Sequence, residues 1–249
     1  MLIQVVNPNT TETMTATMAA CARAVAAVGT TVEAVTSPTG PASIESHYDE
    51  ALAVPGLLQA VAAGERAGVD AYVVGCFGDP GVDAARELAH GPVIGIAEAA
   101  MRTAVLLGRT FSVVTTLSRT AGRAWELAAR FGVASQCAQV RACEIPVLDL
   151  ERPGSNAEYR ITEECRRAVA EDEADVVVLG CAGMADLCAR ISAAVGVPVV
   201  DGVAAATKMM EGLVALGLTT STRLEYARPP AKAYTGLLGS FSLESGATI

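Results

Sequence analysis

The apolar positions of this chain fall into two alternating kinds of run. Short Val/Ile-rich runs read as strands buried on both faces, as in a parallel sheet, and longer stretches with apolar residues every third or fourth position read as helices. In order, the pattern predicts a strand over 2–6, a loop at Asn7-Pro8-Asn9-Thr10, a helix over 11–27 with Thr10 or Thr11 as N-cap, and a strand over 31–35. Met14, Met18, Cys21, Val25 and Val28 form the buried stripe of that helix. A breaker-rich loop over 36–44, long enough to wall a pocket or act as a lid, leads to a helix over 48–67 that contains Pro55. A strand over 69–75, a short helix from Asp79-Pro80 to Ala89, a strand over 92–96 and a helix over 97–107 closed by Gly108 follow.

The pattern then restarts. Residues 110–118 mirror the opening strand and loop, followed by a helix over 119–131, a strand over 137–142, a second lid-like loop over 143–157 and a helix over 158–172. Next come a strand ending at Gly180, a helix over 184–194, a strand over 197–200 and a helix over 201–216 closed by Gly217. Pro198-Val199-Val200 echoes Pro92-Val93-Ile94. Recurrence of strand, loop, lid and Pro-strand in one order indicates an internally duplicated α/β module. Beyond Thr219 the chain is rich in Ser, Thr, Gly and Pro, and a surface tail ordered only in part is expected.

Two of the Val-rich runs end alike, in Gly75-Cys76-Phe77-Gly78 and Gly180-Cys181-Ala182-Gly183, with the cysteines 105 positions apart. Each cysteine stands at the carboxyl end of a parallel strand, where open α/β sheets bind ligands. A following helix start offers free N–H groups and the positive end of a dipole, which lower a thiol pKa from about 8.5 towards working pH. Two such thiols on opposite faces of a flat carbanion form an acid–base pair: one removes a proton, the other returns one, and the stereocentre is inverted. Cys21, Cys137, Cys143, Cys165 and Cys188 read as core or filler, because free cysteine is among the most buried residue types.

Composition narrows the field. Of 249 residues, 51% are apolar and 4% aromatic, which suits small-residue helices on a Val/Ile sheet. A net charge of −9 argues against nucleic acid or an anionic membrane as partner. No apolar run reaches the roughly 18–20 residues that span a bilayer, and the opening residues read as a strand rather than a signal peptide, so a cytoplasmic protein with reduced thiols is expected. Two histidines, His47 and His90, and the absence of Cys-x-x-Cys disfavour a zinc site; no Walker loop, Gly-x-Gly-x-x-Gly or Gly-x-Ser-x-Gly is present, and only Lys208 and Lys232 could carry pyridoxal phosphate. No cofactor is expected. Ala/Val-rich helices are the expected contacts of a homo-oligomer.

The motifs Asn7-Pro8-Asn9-Thr10, Gly40-Pro41-Ala42-Ser43-Ile44-Glu45, Gly75-Cys76-Phe77-Gly78-Asp79-Pro80, Val114-Thr115-Thr116-Leu117-Ser118 and Leu179-Gly180-Cys181-Ala182-Gly183-Met184 resemble those of the hydantoin racemase family, within the cofactor-independent aspartate/glutamate racemase superfamily. The resemblance runs from about residue 2 to residue 217. It implies an α/β fold of two pseudo-symmetric lobes, each a mainly parallel sheet flanked by helices, with the active site in the cleft between them. On that reading, 1–95 forms the first lobe (completed by the helix 201–217), 96–200 the second, and 218–249 a tail. It also implies catalytic roles for Cys76 and Cys181, and substrate contacts from Asn9, the main chain after each cysteine (Phe77, Gly78, Ala182, Gly183) and Thr115, Thr116 and Ser118.

Amino-acid racemases of the superfamily follow their cysteines with polar residues, whereas Phe77-Gly78 and Ala182-Gly183 offer little beyond backbone N–H groups. That suits a neutral ring, such as a 5-substituted hydantoin, whose carbonyls accept main-chain hydrogen bonds. Ser43, Ile44, Phe77 and Met184 are candidate pocket residues. Asp79 reads as an N-cap before a catalytic acid, Asn9 as cap or ligand contact, and His47 as solvent-facing before a substrate contact. Allantoin racemase, Asp/Glu racemase and a non-catalytic two-lobed binding protein stand as alternatives. A decarboxylase of the arylmalonate type needs one cysteine, and a maleate-type isomerase needs cations at the Gly-Cys turns, where the sequence has none.

Overall fold

The computed structural model describes residues 1–150, 152 and 154–243. Glu151 and Pro153 of the second lid-like loop and residues 244–249 of the tail lie outside the described residues. The first half runs β1 (Leu2–Asn7), α1 (Glu12–Val25), β2 (Thr31–Thr36), α2 (His47–Ala67), β3 (Ala71–Val74), α3 (Val82–Leu88), β4 (Val93–Gly95) and α4 (Ile96–Leu107). The second runs β5 (Phe111–Thr115), α5 (Ala121–Arg130), β6 (Cys137–Ala142), α6 (Ala157–Glu171), β7 (Val176–Leu179), α7 (Cys188–Val195), β8 (Val199–Val200) and α8 (Gly202–Ala215).

The strands form two parallel four-stranded sheets of matching order, β2-β1-β3-β4 and β6-β5-β7-β8. Side chains alternate across each strand, so one run of valines feeds two cores. Ala71 and Val73 of β3, with Val176 and Val178 of β7, point into a continuous inner core shared with α1, α4, α5 and α8. Tyr72 and Val74 face outward onto α2 and α3, while Val177 and Leu179 face α6 and α7. Burying such Val and Leu side chains on both faces is worth about 1.5–3 kcal/mol each. It is also why these strands read as unbroken apolar runs.

Several elements depart from the expected pattern. The helices after β5 and β7 open as 3₁₀ turns, Ser118–Thr120 and Ala182–Leu187, before α5 and α7 begin. Thr11 holds the N-cap position of α1 without capping it, because its hydroxyl donates to Ala42 O at 2.7 Å. Gly108 ends α4 in an extended conformation instead of a left-handed one. The helix expected from Asp79 starts at Val82, since Asp79 turns away at φ 46°. The tail is better anchored than expected: Tyr226 lies over the Arg86 guanidinium of α3, 5.8 Å from ring centroid to carbon, and Lys232 bridges to Leu243. Among the described residues no helix is long and apolar enough to cross a membrane.

Candidate active site

The two Gly-Cys turns are built alike. Gly75 N donates to Val6 O and Gly180 N to Val114 O, both at 2.8 Å, so each strand stays paired up to its cysteine. The chain then folds back: Asp79 N donates to Cys76 O at 3.0 Å and Met184 N to Cys181 O at 3.1 Å. A Cβ placed on Gly78 or on Gly183 would lie 3.8 Å from Cys76 Sγ or Cys181 Sγ respectively. A side chain in the second position after each cysteine would thus stand in van der Waals contact with the sulfur.

Both cysteines line one partly enclosed cavity of about 100 Å³. Of the residues singled out from the sequence, Asn9, Ile44, Phe77, Gly78, Thr115, Thr116, Ala182 and Gly183 line it with them. Ser43 and Ser118 stand outside the lining. Ser43 Oγ donates to Glu45 Oε2 at 3.0 Å, and Ser118 starts the 3₁₀ turn with its N–H on Glu144 Oε1 at 3.0 Å. Met184 is fully buried in the core against α6 and α7, not in the pocket. Asn9 does two things: its Oδ1 accepts from Thr11 N at 2.9 Å at the mouth of α1, and it borders the cavity.

Charged groups missing from the sequence reading complete the lining: Glu50 on the first turn of α2, Arg119 in the 3₁₀ turn and Arg123 on α5; His47, weighed in the sequence as solvent-facing or a substrate contact, is largely exposed and borders the cavity at the start of α2. No cation flanks either turn in sequence, yet the fold brings Arg123 to Gly78, whose carbonyl accepts from Nε at 3.1 Å and Nη2 at 2.9 Å. Glu50 Oε1 lies 3.6 Å from the same Nε. Met14, Met18 and Val147 supply apolar wall. Glu45 ties the two lid-like loops across the cavity, since its Oε1 accepts from Val147 N at 2.7 Å. The sequence signal for these groups is weak: a charge in the first turn of a helix usually faces solvent.

Against the lowering expected from a helix start, which here comes only at Val82, burial pushes the Cys76 thiol up to about 12; a hydrogen bond from the Gly78 N–H acts against this, while Cys181, Glu50 and Asp79 reinforce it. Nearby negative charge disfavours a thiolate, and the influence of Cys181 on Cys76 marks the two sulfurs as electrostatic neighbours. Asp79 is buried and caps α4, accepting from Ala97 N at 3.0 Å and Glu98 N at 2.9 Å. Its side chain thus caps a helix that begins seventeen residues further on, whose own N-cap residue is Gly95, and not the one that follows it. Among the described residues no three His, Cys, Asp or Glu side chains gather as a metal would require.

Residues 3–210 match the family model described as Asp/Glu/Hydantoin racemase. The chain belongs to that family. A hydantoin racemase of Rhizobium meliloti is 48% identical over 236 residues, covering 95% of this chain and 98% of the relative. The allantoin racemase of Klebsiella pneumoniae superposes with a TM-score of 0.95 at 49% identity, over 97% of this chain and 98% of that one. Allantoin racemase from Pseudomonas fluorescens gives 0.91 at 42% identity, over 95% and 100%. The protein is therefore a racemase acting on a small molecule, and its two parallel sheets flanked by helices are the fold of its family.

Proposed function

We propose that this racemase interconverts the D and L forms of 5-monosubstituted hydantoins, with Cys76 and Cys181 as its acid–base pair. The observation that carries this reading is the pair of matched Gly-Cys-x-Gly turns opening onto one cavity. The C5 hydrogen of a hydantoin lies beside a ring carbonyl, so its removal leaves an enolate. One thiolate takes that hydrogen as a proton, the electron pair moves onto the carbonyl oxygen, and the opposite thiol delivers its own proton to the other face of C5. The products are the mirror-image hydantoin and an enzyme whose thiol and thiolate have exchanged places.

Electrostatics opposes two charged sulfurs in the site at once. Burial and the neighbouring Cys181 both oppose a charge on Cys76, so ionising both thiols together is costly. Backbone N–H groups of residues 77, 182 and 183 are the donors suited to the developing enolate oxygen, since preorganised donors in a partly dry cavity are strong stabilisers.

The relatives are named for hydantoin and for allantoin. Allantoin is itself a hydantoin with a ureido group on C5, so both names describe one reacting ring. Glu50 and Arg119 beside Ile44, Phe77 and Val147 favour a polar 5-substituent as well as an apolar one.

The test uses single enantiomers of 5-methylhydantoin, 5-benzylhydantoin, allantoin, aspartate and glutamate in D2O, followed by polarimetry and proton NMR against the uncatalysed rate. The hydantoins should racemise with one deuterium entering C5, and the amino acids should not. Cys76→Ser and Cys181→Ser should each lower racemisation by about 10²–10⁴-fold. Each should keep C5 exchange with only one enantiomer. A variant within tenfold of wild type would overturn the assignment of that cysteine.

A further inference from the structure

The turns that carry the two cysteines share a backbone but not their surroundings. Around Gly183 the closest groups are apolar: a Cβ there would meet Leu150 Cδ1 at 3.1 Å and Met14 Cε at 3.5 Å. Around Gly78 they are charged, with Glu50 Oε1 at 2.5 Å from the corresponding point. Arg123 reaches this turn from α5, in the other half of the molecule. It spends both Nε and Nη2 on one carbonyl, that of Gly78, and turns Nη1 towards Glu126 at 3.4 Å. Its side chain is 26% exposed and that of Glu50 20%, so the pair is held against the turn instead of waving in solvent.

Gly78 is also the residue whose N–H hydrogen-bonds to the Cys76 sulfur. Two guanidinium donors on the carbonyl of that residue leave its position little freedom, because a planar fork on one acceptor fixes direction as well as distance. A lysine offers a single point charge and reproduces only part of this.

We infer that Arg123 is a positioning residue for one catalytic thiol only: it clamps the Gly78 carbonyl across the cleft so that the Gly78 N–H stays aimed at Cys76, and it does no equivalent work for Cys181. The inference rests on the proposed roles of the two thiols. It makes the site chemically lopsided, with a charged clamp on one face of the substrate and a methionine and a leucine packed on the other. A misplacement of about 1 Å at a reacting group costs on the order of 10²-fold in rate, which is the scale on which the clamp acts.

Single-thiol enzymes separate this role from general support. C5 deuterium exchange is measured in Cys181→Ser, where Cys76 works alone, and in Cys76→Ser, where Cys181 works alone, each with and without Arg123→Met. Arg123→Met should slow the Cys76-dependent exchange at least tenfold and change the Cys181-dependent exchange less than threefold. Arg123→Lys should recover part of the loss. Equal slowing of both exchanges overturns the inference and leaves the two-thiol reading standing. If neither single-thiol enzyme exchanges either enantiomer, the two-thiol reading itself falls and takes the inference with it. Circular dichroism checks the fold, and loss of fold in both Arg123 variants would assign the residue to the scaffold and overturn the inference.

Discussion

Asp79 shows how much one side chain three residues after Cys76 can carry. Its backbone occupies the left-handed region, which costs a non-glycine residue about 1–2 kcal/mol, and its carboxylate repays this by capping α4. Burial pushes its pKa from 3.8 up to about 7, although two backbone amides and Arg123 pull the other way. A carboxyl that binds its proton more tightly in the folded state contributes stability that is fully present below about pH 4 and lost as pH rises through 7. The Tm advantage of wild type over Asp79→Asn, which has no proton to lose, should therefore shrink between pH 4 and pH 7.5. A constant gap would show Asp79 ionised throughout.

Glu50 acts on the neighbouring thiol. Its negative charge raises the Cys76 pKa, so Glu50→Gln should move the pH dependence of Cys76 alkylation by iodoacetamide towards acid, read in Cys181→Ser. At this scale the cysteines were legible because each ends a buried strand in the same four-residue turn. Glu50 and Arg123 were not, because nothing local separates a helix-surface charge from one that another element draws into a cleft.

Helices α4 and α8 hold the two sheets together, and their contact depends on one absent methyl group. Gly202, the first residue of α8, packs so closely on α4 that a Cβ there would sit 2.4 Å from Ile96 O and 2.9 Å from Ile96 Cβ. Gly202→Ala must push the helices apart and should cost about 1–3 kcal/mol, as overpacking does; chemical denaturation measures it. The pattern of valines foretold the strands and their parallel sense, since a strand covered on both faces has no polar face to confuse the period. Helix starts were less legible. A 3₁₀ opening such as Ala182–Leu187 is set by the turn that returns from Cys181 and not by apolar spacing, which changes little there.

For the whole molecule, duplication was the strongest message of the sequence: matching sheet orders and matching Gly-Cys turns are what a repeated module yields. What the repeat concealed is where its halves diverge. The residues that touch Gly78 and Gly183 come from elements distant in the chain, so their difference becomes visible only once the halves are assembled. The Glu45 carboxylate, joining one lid-like loop to the amide of Val147 in the other, belongs to the same class. Glu45→Ala should raise KM more than it lowers kcat, because it loosens the walls without touching either sulfur; steady-state polarimetry separates the two constants.

The unlike flanks of the two sulfurs meet a constraint that no protein can evade. Mirror-image substrates have equal energy in water, so kcat/KM of a racemase must be the same in both directions, however dissimilar the left and right hands of the enzyme. The dissimilarity is then free to surface only in quantities that symmetry leaves alone. In heavy water the optical rotation should swing past zero before settling there, and the swing begun from one enantiomer should differ in depth from its reflection.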